Sequence, residues 1–274
     1  MCTVVVLRRP GNHWPLLLAA NRDEMADRAW QPPGRHWPAA PWITAGRDLL
    51  GGGSWFGVND DGVAAAVLNR INTLGPAPGR RSRGELPLLA LAHGTAGAAA
   101  AAIGTIDSTD YRSFNMVVAD SSNAFYIRAV SDGGGTVALG SARQADSGAA
   151  PSLSVEPLPD GLSMITAYDR DDPRSPRIRR YRPRFVAAPV PLPEHSDWSG
   201  WIALLGARDS DPDAGPGGAM TVVTTTGFGT VCSALLALPA PGTAGTKANS
   251  PADRPQLLFA AGRPDEVPFE PIRL

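Results

Sequence analysis

Met1-Cys2-Thr3-Val4-Val5-Val6-Leu7 opens the chain, and Leu16-Leu17-Leu18-Ala19-Ala20-Asn21-Arg22-Asp23-Glu24 follows after a short gap. Residues 3–7 are β-branched and apolar, and read as a buried strand. Pro10-Gly11-Asn12 marks a turn, so residues 16–20 read as the returning strand of a hairpin. With the turn centred between Gly11 and Asn12, Cys2 faces Asn21, and Asp23 lies diagonally on the same face. Arg22 then points to the other face. A register one residue different would exchange the two faces.

The remaining pattern extends the antiparallel theme. A second hairpin is expected over residues 54–59 and 63–69, turning at Asp60-Asp61-Gly62. The Pro- and Trp-containing residues 27–42 lack periodicity and read as an ordered loop. Ser82 and Glu85 have capping-box spacing for a helix running to about His93, where Gly94 would stop it. A second, Ala-rich helix is expected at 96–103, and further helices at 176–187 and 197–207. Strands are expected at 114–119, 124–130, 136–139, 162–167, 220–226, 230–238 and 256–261, with loops at 208–218 and 239–255. Strands in antiparallel runs with helices grouped between them argue for packed α+β sheets, not a parallel doubly wound sheet.

Composition narrows the function. The chain has 274 residues, 43% of them hydrophobic, enough for a large core in a single domain over 1–274. A formal charge of -1 gives no field for a nucleic acid or an anionic surface. No uninterrupted apolar run reaches the ~18 residues of a membrane span. The N-terminal apolar stretch is short, with its basic residues after it, so a signal peptide is not expected. Two cysteines, Cys2 and Cys232, cannot make a disulfide framework, and a reducing, cytoplasmic setting is the expectation. His13, His36, His93 and His195 are scattered without metal-ligand spacing, so no metal is expected. Gly51-Gly52-Gly53 lacks a phosphate-loop context and reads as hairpin flexibility.

Position 2 gives cysteine a particular option. Methionine is removed before small residues, which would leave a thiol and a free α-amine on one residue. With a pKa of ~7.7–8.0, that amine is partly neutral near pH 7 and can accept the thiol proton. Two readings of Cys2 stand at this point: a nucleophile carrying its own base, and a small buried apolar side chain. Arg22 and Asp23 likewise read as part of a site or as a structural ion pair at a strand end. Cys232 reads as core, with a redox partnership to Cys2 as the lesser option.

Met1-Cys2-Thr3 and Ala20-Asn21-Arg22-Asp23-Glu24 resemble the opening of the NRDE family, also called the transport and Golgi organization protein 2 family. The likeness continues in residues 45–58 (Ala-Gly-Arg-Asp-Leu-Leu-Gly-Gly-Gly-Ser-Trp-Phe-Gly-Val), Leu68-Asn69-Arg70, Ser82-Arg83-Gly84-Glu85 and Phe114-Asn115. The motifs cover the N-terminal half, and the C-terminal half matches loosely. Where relatives read Tyr-Gly-Thr-Arg-Ser-Ser, this chain has Phe228-Gly229-Thr230-Val231-Cys232-Ser233, with Val231 in place of the Arg.

The resemblance implies kinship with cysteine N-terminal-nucleophile hydrolases and a four-layer αββα sandwich. It implies Cys2 as nucleophile with Arg22 and Asp23 beside it, Asn69 as an oxyanion donor, and Asn21, Trp55 and Asn115 as substrate-binding residues. The implied reaction is hydrolysis of a C–N amide bond in a small or acyl substrate, with no cofactor. The alternative is a non-hydrolysing carrier of haem or a lipid-like apolar ligand on the same scaffold, with Cys2 or a histidine ligating iron.

Overall fold

The computed structural model describes residues 2–131, 151–241 and 254–274. Strands β1 (Thr3–Arg8) and β2 (Leu16–Met25) form the opening hairpin, followed by β3 (Trp30–Gly34), β4 (Ile43–Asp48), β5 (Phe56–Asn59) and β6 (Ala64–Asn69). Helices α1 (Glu85–Ala90) and α2 (Ala96–Gly104) precede β7 (Phe114–Ala119), β8 (Ala124–Val130), β9 (Ser152–Pro157) and β10 (Gly161–Ile165). Then come α3 (Pro176–Ala187), α4 (Ser199–Leu205), β11 (Phe228–Leu238), β12 (Gln256–Ala260) and β13 (Glu270–Ile272). One sheet runs β10-β1-β2-β11-β12-β13 and the other β3 to β9 in sequence order. Every pairing in both is antiparallel.

Strand alternation builds the layers. Val4, Val6, Leu16, Leu18, Ala234 and Leu236 point from the first sheet toward Phe56, Ala66, Leu68 and Val117 of the second, making the central core. The opposite side of the first sheet (Val5, Leu17, Ala19, Leu235) packs under Ile178, Tyr181 and Phe185 of α3 and Trp201 and Leu205 of α4. The outer side of the second sheet packs under α1 and α2 through Leu86, Ala90, Ala99, Ala100 and Ile103. The order is helix, sheet, sheet, helix: the αββα sandwich expected.

The hairpin register differs from expectation by one residue. Thr3, not Cys2, pairs with Asn21, and Val4 pairs with Ala20. The connection over residues 9–15 is odd in length: Arg9 N–H donates to Pro15 O at 2.8 Å and Asn12 N–H to Arg9 O at 3.1 Å. This centres the turn on Asn12. Every facing assignment at the strand ends is therefore exchanged.

Other differences have local causes. The expected loop at 27–42 contains β3, an edge strand that carries Pro32 and Pro33 and breaks its ladder between Gln31 and Gly34. Ser82 does not cap α1: its Oγ accepts from Gly84 N–H at 3.2 Å, Glu85 pairs with Arg81, and Gly84 takes the N-cap position, so the helix starts two residues later than expected. Residues 220–226 make only a single bridge, Val223 to Gly229, because Val222 N–H is taken by the Thr230 hydroxyl at 2.8 Å. Strands β9 and β13 lie at sheet edges: β9 alternates only Leu153 and Val155, neither of them buried, and β13 is three residues long. The expected strand at 136–139 and most of the expected loop at 239–255 lie outside the described residues. Helix α3 matches its expectation at both ends: Ser175 caps it by accepting from Ile178 N–H, and Pro176 occupies its first turn.

Candidate active site

The site lies at one end of the central core, where β1, β2 and β11 face β5 and β6. A small cavity of about 20 Å³ lies there, lined by Cys2, Arg22, Cys232 and Phe259 from the first sheet and by Trp55, Phe56 and Leu68 from the second. Continuing the β1–β2 register by one residue sets Cys2 beside Arg22. Cys2 is half-buried, and its Sγ approaches the Asp23 backbone oxygen at 3.6 Å.

Arg22 thus shares the cavity face with Cys2, whereas the sequence pattern put it on the other side. Its Nη2 donates to Asp48 Oδ2 at 3.1 Å, and its guanidinium lies over the Trp55 ring at 4.1 Å. The side chain is 5% exposed, and its Nη1 is buried without a hydrogen-bond partner among the described residues. A buried guanidinium N–H left unmatched inside a cavity is suited to an oxygen that carries negative charge.

Asp23 leaves β2 in the opposite direction, into the helix layer. Its Oδ2 accepts from Arg177 Nη1 of α3 at 3.0 Å and its Oδ1 from Thr230 Oγ1 at 2.6 Å. Arg177 also donates to Thr3 Oγ1 at 2.6 Å. Burial pushes the Cys2 thiol up, and the Asp23 charge adds to this. The contact with the Asp23 carbonyl and the charge of Arg22 oppose the rise without cancelling it.

Asp48 anchors the Arg22 end. Its Oδ2 also receives Arg28 Nε at 2.7 Å, and its Oδ1 receives Leu50 and Gly51 N–H. Burial acts to raise this carboxyl, but the donors and the charges of Arg28 and Arg22 outweigh it and hold the carboxyl below its usual range. Two glycines of the same stretch are dictated by close approach. A Cβ on Gly46 would sit 2.4 Å from the Trp55 ring, and one on Gly53 would sit 2.3 Å from the Gly84 backbone.

The other residues singled out from the sequence fall in different places. Trp55 lines the cavity and packs edge-on against Trp30, which in turn meets Phe259. The Asn21 amide serves the helix layer, donating to Leu205 O and Met220 O and accepting from Ser233 Oγ. Asn69 ends β6 opposite Phe114 and is not among the residues lining the cavity. Asn115 is fully buried outside the cavity lining; it accepts from Arg70 and Tyr126 and donates to Thr166 O and Tyr168 O.

Cys2 and Cys232 flank Arg22 from the strands on either side of β2. Two strand spacings separate their backbones by ~9.5 Å, beyond the ~7 Å a disulfide can bridge. Both cysteines are free. Cys232 is buried, and burial drives its thiol far above the usual range. Among the described residues, no cluster of three His, Cys, Asp or Glu side chains is placed to hold a metal ion, and no helix is long and apolar enough to cross a membrane.

Asp48 and Thr230 carry no signal in the sequence that marks them as site residues. Asp48 lies inside the stretch 45–58 without a partner in sequence. Arg177 was hidden in the basic run Arg177-Ile178-Arg179-Arg180, which reads as a solvated helix face. Its signal was the spacing of Arg177, Tyr181 and Phe185, four residues apart along one buried stripe.

The comparisons agree with this architecture. The family model described as Transport and Golgi organisation 2 matches residues 1–150. No curated protein matches the chain. Among solved structures, a Caenorhabditis elegans ortholog of N-acylethanolamine-hydrolyzing acid amidase is 12% identical, with a TM-score of 0.52, covering 91% of this chain and 98% of that one. A mutant conjugated bile acid hydrolase from Clostridium perfringens is 10% identical, with a TM-score of 0.48, covering 100% and 97%. Penicillin V acylase from Agrobacterium tumefaciens is 11% identical, with a TM-score of 0.46, covering 99% and 98%. At these identities the likeness to the amidase ortholog is one of fold.

Proposed function

The chain belongs to the Transport and Golgi organisation 2 family, and on that premise we propose that it is a cysteine hydrolase of the N-terminal-nucleophile kind, cleaving a C–N amide bond in a small acyl substrate. The observation that carries this reading is the shared cavity of Cys2 and Arg22, with a buried guanidinium N–H that no described group satisfies.

In the proposed reaction, removal of Met1 frees the α-amine of Cys2. The neutral amine takes the thiol proton, and the thiolate attacks the substrate carbonyl carbon. The carbonyl electron pair moves to oxygen, and Arg22 stabilises the resulting oxyanion, an effect typically worth ~3 kcal/mol at such sites. Collapse breaks the C–N bond, the α-ammonium protonates the departing amine, and a thioester remains. The α-amine then deprotonates a water that attacks the thioester, releasing the carboxylic acid and restoring the thiol. Asp23 orients the amine. The cavity lining supports Arg22 over Asn69 as the group that meets the oxyanion.

Mass analysis of protein from the native host tests the premise: Met1 is expected to be absent. A panel of acyl amides should give a trapped acyl adduct on Cys2 and turnover that Cys2→Ala abolishes. An intact Met1, or turnover surviving in Cys2→Ala, overturns the proposal.

A second reading, a haem or lipid-like ligand held without hydrolysis, rests on the apolar lining alone and requires the two sheets to part, because the cavity is about the size of one water molecule. Haem titration is then expected to give a saturable Soret shift that changes in Cys2→Ala. Absence of saturation rejects it.

A further inference from the structure

Arg177 and Asp23 form the most deeply buried ion pair among the described residues, with side chains 1% and 0% exposed. Arg177 belongs to the apolar stripe of α3, whose other members Tyr181 and Phe185 pack on the first sheet. From the first turn of the helix its guanidinium reaches the β1–β2 seam. There it bridges Asp23 Oδ2 and Thr3 Oγ1, and its Nη2 donates to Gly217 O at 3.1 Å. Thr230 closes the other side of the carboxylate, and its own oxygen is fixed by Val222 N–H. Asp23 is thus locked one residue beyond Arg22, with its backbone oxygen against the Cys2 sulfur.

A solitary buried carboxylate so placed would hold protons on a neighbouring thiol or ammonium, raising either by ~1–3 pH units. A guanidinium stays charged throughout the working range, so it offsets that field at every relevant pH. The charged and titratable groups around Cys2 are few. Asp23 and Arg22 come from β2, Cys232 comes from β11, and Arg177 acts from α3 through Asp23. The facing sheet contributes no titratable side chain to the cavity lining among the described residues.

We infer that Arg177 is a positioning residue for Cys2. It fixes Asp23 and Thr3 across the seam and offsets part of the carboxylate charge, so that the thiol and the α-amine release their protons at lower pH than beside an unmatched anion. The inference rests on the reading of Cys2 as the reactive group, but its test does not require amide turnover.

The test is the pH profile of Cys2 alkylation by iodoacetamide, followed by intact mass on the full chain, with Cys2→Ala supplying the background from Cys232. Arg177→Lys, which keeps the charge, should retain the wild-type midpoint. Arg177→Gln should move it up by about one pH unit, about a tenfold slower reaction at pH 7. Asp23→Asn should move it down, and Arg177→Gln/Asp23→Asn should return it toward wild type. An unmoved midpoint in Arg177→Gln, or equal shifts in the Lys and Gln variants, overturns the inference. If Arg177→Gln alone does not fold, Asp23→Asn is compared with the double variant, where loss of the guanidinium must still raise the midpoint; no rise overturns the inference. Failure of the hydrolase reading would appear separately, as absence of an acyl adduct on the wild-type chain with the alkylation profile still legible.

Discussion

The Arg22 guanidinium rests on the indole of Trp55, 4.1 Å from the ring centroid, and the Trp55 ring in turn fills the space above Gly46. Gly46→Ala forces the indole to move, because its new methyl would overlap the ring. The expected cost is that of an overpacked core, ~1–3 kcal/mol in chemical denaturation. The variant should also form the Cys2 acyl adduct more slowly, since Arg22 loses its platform. Wild-type stability in Gly46→Ala would show that the indole is not held where it is described.

Asp48→Asn tests the anchor of Arg22 and carries a pH signature. Because the Asp48 carboxyl titrates below its usual range, its stabilisation is present above the unfolded value of ~3.9 and is lost as the pH falls through the lower folded value. The group is partly solvated, so the contribution is discounted for screening to about 1 kcal/mol. Urea denaturation at pH 7 should show Asp48→Asn less stable by that amount, and the gap should narrow as the pH drops below about 4. A gap independent of pH would mean that shape, not charge, is what Asp48 provides.

Thiol counting separates the two cysteines. Cys232 is 1% exposed and its thiol is strongly disfavoured from ionising, so native protein should take up one alkyl group and denatured protein two. Cys232→Ala should leave the native labelling rate of Cys2 unchanged while costing ~1 kcal/mol of stability. Two labels on the native chain would contradict the core position of Cys232.

Asn115 is expected to matter for stability. Its side chain satisfies four partners in the interior, and Asn115→Ala would strand the Thr166 and Tyr168 carbonyls, at a cost of ~2–4 kcal/mol. Tyr126→Phe removes only one of those bonds and should cost ~1 kcal/mol. Burial raises the Tyr126 phenol to about 12, so the phenol stays a donor to Asn115 across the ordinary pH range. Equal losses in the two variants would show that the amide does not join the two carbonyls.

Much of this was legible in the chain because alternation is a strong signal where one face of a strand is buried. Val4, Val6, Leu16 and Leu18 announced the opening hairpin, and Ile178, Tyr181 and Phe185 announced α3. Elements without that contrast escaped. β3 is interrupted by prolines, and β9 carries only two alternating apolar residues, Leu153 and Val155, at a largely exposed edge. At the site, the motifs around Cys2, Arg22 and Asp23 were readable, but their facing was not, because turn composition does not say whether its centre falls on a residue or between two. Arg177 lay outside those motifs, about 150 positions from its partner Asp23, and only tertiary packing joins them.

The loop at residues 9–15 therefore acts as a ruler for chemistry that happens elsewhere. Removing or adding a single residue there would slide β1 along its neighbour by half a repeat and turn the sulfur of Cys2 out of the cleft toward α3. A deletion scan of this surface turn, far from any reacting atom, would thus be expected to extinguish thiol reactivity as completely as replacing the cysteine.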